Sequence, residues 1–229
     1  MTDKDPSASQ SDQKYIEPVD AATLILLRDD EVLMGLRNRK HIFMPNVYVF
    51  PGGRTDADDH RLSCTHQLTP TQVQRLSQSV DAERANAIAL TALRETFEET
   101  GLIVGHASKA DVPDITGWDE FYRRGFEPAV DQLEYFARAI TPEGGPRRYD
   151  ARFFVADAQL AQGELAGDGE LLDLQWISLR NTSELKLPTV TTLVLELLKS
   201  RFYDDQPPAK QVAEEFAARY GREVFEYYA

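Results

Sequence analysis

The sequence predicts an α/β fold in which helices cover both faces of a mixed β-sheet. Two observations support this: apolar runs of strand length recur along most of the 229 residues, and they fall before, between and after helical segments. The length suits one sizeable domain, and the 42% of hydrophobic residues is enough for an ordinary core. Residues 19–203 are expected to form this domain, between a disordered tail over 1–18 and a C-terminal helical extension over 204–229.

The individual elements follow from periodicity and from residues that start or stop helices. The longest helix should begin after Asp81 and end at Thr100, because Asp81 can accept hydrogen bonds from the first turn and Gly101 is a typical stop. A shorter helix begins after Thr69, with Pro70 in its first turn. Strands are predicted over 21–27, 32–37, 47–50, 102–104, 133–140, 153–156 and 171–177, and further helices over 118–125, 188–198 and 211–220.

Composition argues against several classes of function. The formal net charge of −13 argues against a general nucleic-acid binder, which needs a basic surface. No segment approaches the ~18 apolar residues of a membrane helix, so no membrane partner is expected. The N-terminal segment is polar and acidic, unlike a secretory signal. The single cysteine, Cys64, fits a reducing compartment, and a cytoplasmic location is therefore expected.

Three glutamates near the end of the longest helix carry the strongest chemical signal. Glu95, Glu98 and Glu99 stand at positions i, i+3 and i+4, which places their carboxylates on one helix face. Like charges packed together require a cation, and several hard oxygen donors suit Mg²⁺ or Mn²⁺. Arg94 is rotated off that face, where it can pair with a neighbouring acid or a backbone carbonyl. The run alone is more often a solvated acidic helix end.

A glycine pair precedes the region that delivers this helix. Gly52 and Gly53 close a predicted strand, and glycines there permit a tight turn and leave backbone carbonyls accessible to a metal ion. A lone pair of glycines is more often a plain turn. The interest of the pair therefore depends on its combination with the glutamates.

In that combination the chain resembles the Nudix hydrolase family. The family signature is a glycine, five residues, Glu, seven residues, then Arg-Glu, an aliphatic residue, any residue, Glu-Glu, any residue, Gly and an aliphatic residue. Gly53 matches its start and RETFEETGL its second half. Thr96 replaces the first aliphatic residue, and Asn86 stands where counting back from Arg94 places the early glutamate, so that Glu83 or Asp81 would have to substitute. An insertion, assigned to residues 54–80, separates the two halves.

The resemblance implies a Nudix-type α/β/α sandwich that hydrolyses a pyrophosphate bond in a nucleotide. The interrupted motif is similar to that of the coenzyme A diphosphatase-like subgroup, which implies coenzyme A or acyl-coenzyme A as substrate. ADP-ribose, a nucleotide sugar or a dinucleotide is the alternative, and a catalytically silent nucleotide sensor is a second. A small-molecule nucleotide is the expected partner, and a homodimer is the candidate assembly. The insertion is expected to shape substrate choice.

The resemblance also implies roles for individual residues. The implied metal ligands are Glu95, Glu98, Glu99 and the carbonyl of Gly53, and the general base is Glu95 or Glu170. Glu164, Asp168 and Asp173 are rivals of Glu170. Substrate phosphates are expected to meet Arg54, Arg37, Arg39 and Arg148. The four histidines show no paired ligand spacing and are interpreted as incidental, and Trp118, Phe121 and Tyr122 are assigned to the core rather than to base stacking.

Overall fold

The computed structural model describes residues 16–39, 44–144, 146–220 and 225–228. The helices are α1 (Ala57–Arg61), α2 (Pro70–Leu76), α3 (Ala82–Thr100), α4 (Asp119–Arg123), α5 (Thr189–Phe202) and α6 (Ala209–Tyr220). The strands are β1 (Val19–Arg28), β2 (Glu31–Arg37), β3 (Tyr48–Val49), β4 (Gly52–Arg54), β5 (Ile103–Ala107), β6 (Phe126–Pro128), β7 (Glu134–Ile140), β8 (Tyr149–Asp157), β9 (Ala161–Gln162), β10 (Leu171–Ser178) and β11 (Phe225–Tyr227).

A mixed sheet is the framework of the fold. Its main path runs β10, β2, β1, β8, β7 and β11, while β3 pairs with β2 and β4 pairs with β1. β1 and β8 are parallel, whereas the hairpin of β7 and β8 and the pair of β1 and β2 are antiparallel. A second, three-stranded sheet has the order β6, β5, β9. The predicted mixed sheet is confirmed.

Helices lie on both faces of the main sheet. Alternate side chains of β1 point to opposite faces, as the pleat requires. Leu24 and Leu26 pack with α3, whereas Ile25 packs on the other side with α5 and α6. This is the α/β/α sandwich that the sequence predicts. In the described part of the chain, no helix combines the length and apolar character needed to cross a membrane.

The cap residues predicted for α3 are confirmed. Asp81 accepts a hydrogen bond from Arg84 N at 2.8 Å, and Gly101 ends the helix in the left-handed conformation with φ of 74°. That conformation has a steric cost for residues with a β-carbon, which explains the glycine. Thr69 caps α2, accepting from Gln72 N at 3.4 Å.

Several short elements escaped prediction because neighbouring chain segments, rather than local propensity, create them. β4 consists of Gly52, Gly53 and Arg54, which favour a turn, yet it pairs with β1. β11 extends the sheet edge by pairing with β7, so the C-terminal extension contains a strand as well as the predicted helix. The predicted tail over 1–18 lies mostly outside the described residues, and residues 16–18 have no regular structure.

The predicted insertion is packed into the core rather than projecting from it. Leu62, Leu68, Leu76 and Val80 are all less than 9% exposed and belong to the apolar cluster between α3 and the sheet. Burying four such side chains stabilises the fold substantially, since each contributes about 1.5–3 kcal/mol. The segment is therefore structural as well as a candidate determinant of specificity.

Candidate active site at the end of the longest helix

Arg94, on α3, is the buried centre of a group of carboxylates. It is 4% exposed. Its Nη1 lies 2.9 Å from Glu95 Oε1 and 2.9 Å from Glu98 Oε2. Its Nη2 donates a hydrogen bond to the backbone carbonyl of Arg54 at 3.1 Å. The expected partners, an acid and a backbone carbonyl, are both present, but the guanidinium also contacts two of the glutamates from which it was expected to point away.

Asp59, on α1, is the acid that holds Arg94 from the other side. Its Oδ1 accepts from Arg94 Nε at 2.9 Å and its Oδ2 from Nη2 at 3.0 Å. Trp118 Nε1 donates to the same carboxylate at 3.1 Å and Thr91 Oγ1 at 2.9 Å. The Asp59 side chain is 0% exposed. A carboxylate without hydration needs such a set of donors, because each of them offsets part of the desolvation cost.

The position of Asp59 corrects the interpretation of the motif. Counting back from Arg94 gives Asn86, for which Asp81 or Glu83 would have to substitute. Asp81 instead caps α3, and Glu83 is exposed. Counting forward by the signature's five residues from Gly53 leads to Asp59, an aspartate at the place of the early glutamate. The interruption of the motif therefore follows Asp59, and the first helix of the predicted insertion contributes directly to the site.

The three glutamates lie in surroundings that oppose their ionisation. Burial raises the pKa of Glu95 to about 7, although the charge of Arg94 lowers it. Burial also raises the pKa of Glu98 and, more strongly, that of Glu99, which is 4% exposed. Arg94 is shared with Asp59 and cannot balance all of these acids. Carboxylates with incompletely compensated charge are typical of sites that take up a cation.

The glycine pair brings the backbone of β4 against the glutamates. Gly52 N donates to Glu99 Oε2 at 2.8 Å. A β-carbon on Gly53 would lie 2.4 Å from the carboxyl group of Glu95, so any larger residue would push that carboxylate out of its place. The structure thus joins the two halves of the motif. The metal-ligand role of the Gly53 carbonyl stays a prediction.

Two acids of the loop before β10 lie next to the glutamates. The charge of Glu170 contributes to the raised pKa of Glu99, and that of Asp168 to the raised pKa of Glu98. Glu170 N donates to Asp168 Oδ1 at 2.8 Å, which couples the two positions. Glu170 is exposed, as a residue that meets water or substrate would be. Its predicted role as base stays a prediction, and Asp168 remains its rival.

A cavity of ≈650 Å³ opens beside Glu98. This size suits a small-molecule ligand. Its walls include Phe97, Glu98, Arg124, Phe126, Gly167 and Asp168. Arg124, at the end of α4, was not selected from the sequence, because only the packing of α4 beside α3 brings it to the cavity. Its guanidinium also pairs with Glu120 at 2.9 Å on the surface.

Two of the four predicted phosphate-binding arginines lie near the glutamates. The charge of Arg37, at the end of β2, lowers the pKa of Glu99, which shows that the two groups are close. Arg54 directly follows the glycine pair and has an exposed side chain, while its backbone carbonyl is held by Arg94. Both positions are compatible with contact to a bound phosphate.

The other two arginines have different surroundings. Arg39 is exposed and donates to Asn46 Oδ1 at 3.2 Å. Arg148 is 8% exposed, and its guanidinium donates to the backbone carbonyls of Thr141 at 2.9 Å and Ile16 at 2.8 Å. Arg148 therefore ties chain segments together, and this placement does not support its predicted role in substrate binding.

The aromatic cluster belongs to the core, as expected. Trp118 and Phe121 are 0% exposed and Tyr122 is 8% exposed. Their rings pack against α3, and the edge of the Phe121 ring meets Phe97 at 5.6 Å between centroids. The cluster thus supports the site from beneath rather than offering a surface for a nucleobase.

A glutamate-rich helix is held against a glycine strand of a mixed sheet, as the resemblance to Nudix hydrolases implies. No protein-family model matches the chain. Over 173 residues it is 28% identical to the Caenorhabditis elegans protein named "Putative nudix hydrolase 7", a match that covers 69% of this chain and 50% of that protein. The chain thus spans about half the length of this curated relative. A solved NUDIX hydrolase from Alicyclobacillus acidocaldarius is similar with a TM-score of 0.62 and 26% identity, covering 81% of this chain and 92% of that one. The fold is a Nudix fold, and both relatives are named as Nudix hydrolases.

Proposed function

We propose that the protein is a metal-dependent Nudix pyrophosphohydrolase that cleaves a nucleoside diphosphate linked to another group. One observation supports this above the others. The carboxylates of Glu95 and Glu98 contact a single arginine, Arg94, and the buried carboxylate of Glu99 lies beside them, next to a cavity of small-molecule size. Such a concentration of acids is costly unless a cation and an anionic substrate complete it.

The donor set fits Mg²⁺ or Mn²⁺, which prefer oxygen ligands. The proposed ligands are Glu95, Glu98, Glu99 and the carbonyl of Gly53. The three glutamates do not all bring an oxygen atom within 4.8 Å of the other two. Arg94 contacts Glu95 and Glu98, and Gly52 N donates to Glu99. Binding would require these carboxylates to turn. When bound, the ion offsets phosphate charge and lowers the pKa of a water molecule.

The remaining roles fall to side chains around the glutamates. Arg94 positions Glu95 and Glu98, and Asp59 in turn holds Arg94. The general base is Glu95 or Glu170: Glu95 lies among the glutamates beside Arg94, and Glu170 is more open to water. Arg37, Arg54 and Arg124 are the proposed contacts for phosphate oxygens, and Arg94 is proposed as a positioning residue.

Coenzyme A or acyl-coenzyme A is the first substrate proposed. The support is the resemblance of the interrupted motif to the coenzyme A diphosphatase-like subgroup. The cavity also places Phe97 and Phe126 beside Arg124, a combination of apolar and cationic walls that suits a phosphorylated ligand with an apolar part. ADP-ribose, a nucleotide sugar or a dinucleotide is the alternative substrate, and a nucleotide sensor without activity is the alternative function.

The decisive experiment is a panel of pyrophosphate substrates. Purified protein is incubated with coenzyme A, acyl-coenzyme A, ADP-ribose, a nucleotide sugar and a dinucleotide, each with Mg²⁺, with Mn²⁺ and with excess chelator, and the products are identified by mass spectrometry. The expected products from coenzyme A are adenosine 3′,5′-bisphosphate and phosphopantetheine, formed only with a divalent ion.

The outcomes of this panel test the proposed hydrolase activity and the proposed substrate separately. Turnover of ADP-ribose but not of coenzyme A would support the hydrolase activity and contradict coenzyme A as the substrate. Binding of a nucleotide without turnover of any panel member would favour the sensor. Full activity in excess chelator would contradict the metal-dependent mechanism.

A further inference from the structure

Metal-ligating side chains also meet at a second place, outside the glutamate site. His66 lies in the loop between α1 and α2, His106 on β5, and Asp131 in the 3₁₀ helix Val130–Gln132. One ligand atom from each lies within 4.8 Å of the other two. His106 Nε2 is 2.8 Å from Asp131 Oδ1, and His66 Nδ1 is 3.9 Å from the same oxygen. The structure therefore brings together His66 and His106, two histidines that lie far apart in the sequence.

Glu127 faces the ring nitrogen of His66 that is turned away from Asp131. It pairs with His106 across β5 and β6, so both side chains lie on one face of that hairpin. Its Oε1 is 3.4 Å from His66 Nε2, and its side chain is 10% exposed. Across the described parts of the chain, no lysine or arginine forms an ion pair with Glu127 or Asp131. In the ion pairs of the described residues, the partners of these two carboxylates are imidazole rings.

The two imidazoles are arranged as neighbours that share one partner. The rings of His66 and His106 lie 3.9 Å apart between centroids, at an angle of 36°. Two imidazolium ions at this separation would repel each other, whereas two neutral rings can offer nitrogen atoms to one cation. The side chains are 35% and 32% exposed, which leaves a path for an ion from solvent.

The backbone around His66 is held in place by its neighbours. Cys64 Sγ donates to the carbonyl of His66 at 3.0 Å, and Gln67 Nε2 donates to the carbonyl of Cys64 at 2.8 Å. Thr65 N donates to Glu127 Oε2 at 3.4 Å, which links the loop to β6. Contacts of this kind orient ligand side chains before an ion arrives, and they strengthen binding.

We propose that His66, His106 and Asp131 bind a transition-metal ion of the zinc type, with Glu127 as the outer partner of the second ring nitrogen of His66. Two imidazoles and one carboxylate are a donor set of zinc sites, while Mg²⁺ prefers oxygen alone. The ion would tie the insertion loop to β5 and to the 3₁₀ helix, three segments that otherwise meet through few polar contacts.

The test uses the full chain and Zn²⁺ itself. Protein freed of metal by chelator and dialysis is titrated with Zn²⁺, its metal content is measured after gel filtration, and the bound ion is examined by X-ray absorption at the zinc edge. Imidazole scattering distinguishes this site from the all-oxygen glutamate site. His66→Ala and Asp131→Asn remove ligands, and His60→Ala is the matched control, since His60 is an exposed histidine of the same insertion.

The expected result is one tightly held Zn²⁺ with imidazole ligands in the wild type and in His60→Ala, and a rise in melting temperature on its addition. His66→Ala and Asp131→Asn should lose both the imidazole signature and the rise. Zinc with oxygen ligands only, or an unchanged imidazole signature in folded His66→Ala, would overturn the proposal. Because the absorption measurement is made on the wild type, it decides the matter even if a variant fails to fold.

Discussion

The carboxylate of Asp59 accepts two hydrogen bonds from the guanidinium of Arg94, at 2.9 and 3.0 Å, although the residues lie 35 positions apart. Neither side chain has more than 5% of its area exposed. A guanidinium in such surroundings is strongly disfavoured unless an acid accompanies it. This pair therefore joins the first helix of the insertion to the helix that carries the glutamates.

Asp59→Asn should destabilise the protein by about 3–5 kcal/mol, because it leaves Arg94 buried without its main counter-charge. Asp58→Asn, at the neighbouring position, is the matched control. The carboxylate of Asp58 pairs with Arg61 on the surface, so its replacement should lower the free energy of unfolding by less than ~1 kcal/mol. Urea unfolding of both variants measures the free energies. Equal stability of the two variants would contradict the bracing role of Asp59.

Glu98→Gln should lower kcat by more than ~100-fold, because it removes a proposed metal ligand. Loss of a residue that only hydrogen-bonds to a metal ligand typically costs ~10–100-fold. The melting temperature should not fall, because burial already raises the pKa of Glu98 and the neutral amide avoids that desolvation cost. Glu83→Gln, at an exposed position of the same helix, is the control and should retain full activity. Unchanged turnover with a collapsed melting temperature would make the acidic face structural.

Asp20 predicts a specific pH dependence of stability. Burial alone would raise its pKa, but hydrogen bonds and charge from Arg84 and Arg152 bring the pKa below 3.8. A carboxyl with a lowered folded-state pKa stabilises the protein fully above 3.8, and this contribution is lost as the pH falls through the folded-state value. The free-energy difference between wild type and Asp20→Asn should thus be largest at neutral pH and shrink in acid. A difference that is independent of pH would show that Asp20 acts through packing alone.

Leu76→Ala tests whether the insertion belongs to the core. Leu76 is 0% exposed within the cluster around α3, so its truncation should cost about 2–5 kcal/mol. Gln74→Ala, on the same short helix but exposed, should change the unfolding free energy by less than ~0.5 kcal/mol. A negligible effect of Leu76→Ala would mean that the insertion can be shortened freely, as loop-closure entropy alone would allow.

The sequence by itself was sufficient to predict the layered fold, the caps of α3 and the clustering of the three glutamates. These features depend on residues close together in the chain: the 3.6-residue period places Glu95, Glu98 and Glu99 on neighbouring turns, and Asp81 and Gly101 act on their own helix. Even Asp59 could be found by counting forward from Gly53, although counting back from Arg94 missed it.

Only the tertiary structure decided which distant residues meet. β4 forms because β1 presents an edge to a glycine pair, and Arg124 reaches the cavity because α4 packs beside α3. His66 and His106 come together because the insertion folds back onto β5, a contact that no local spacing encodes. Burial sets the pKa of Glu95 in the same way, since desolvation depends on everything packed around the carboxyl group and not on its neighbours in sequence.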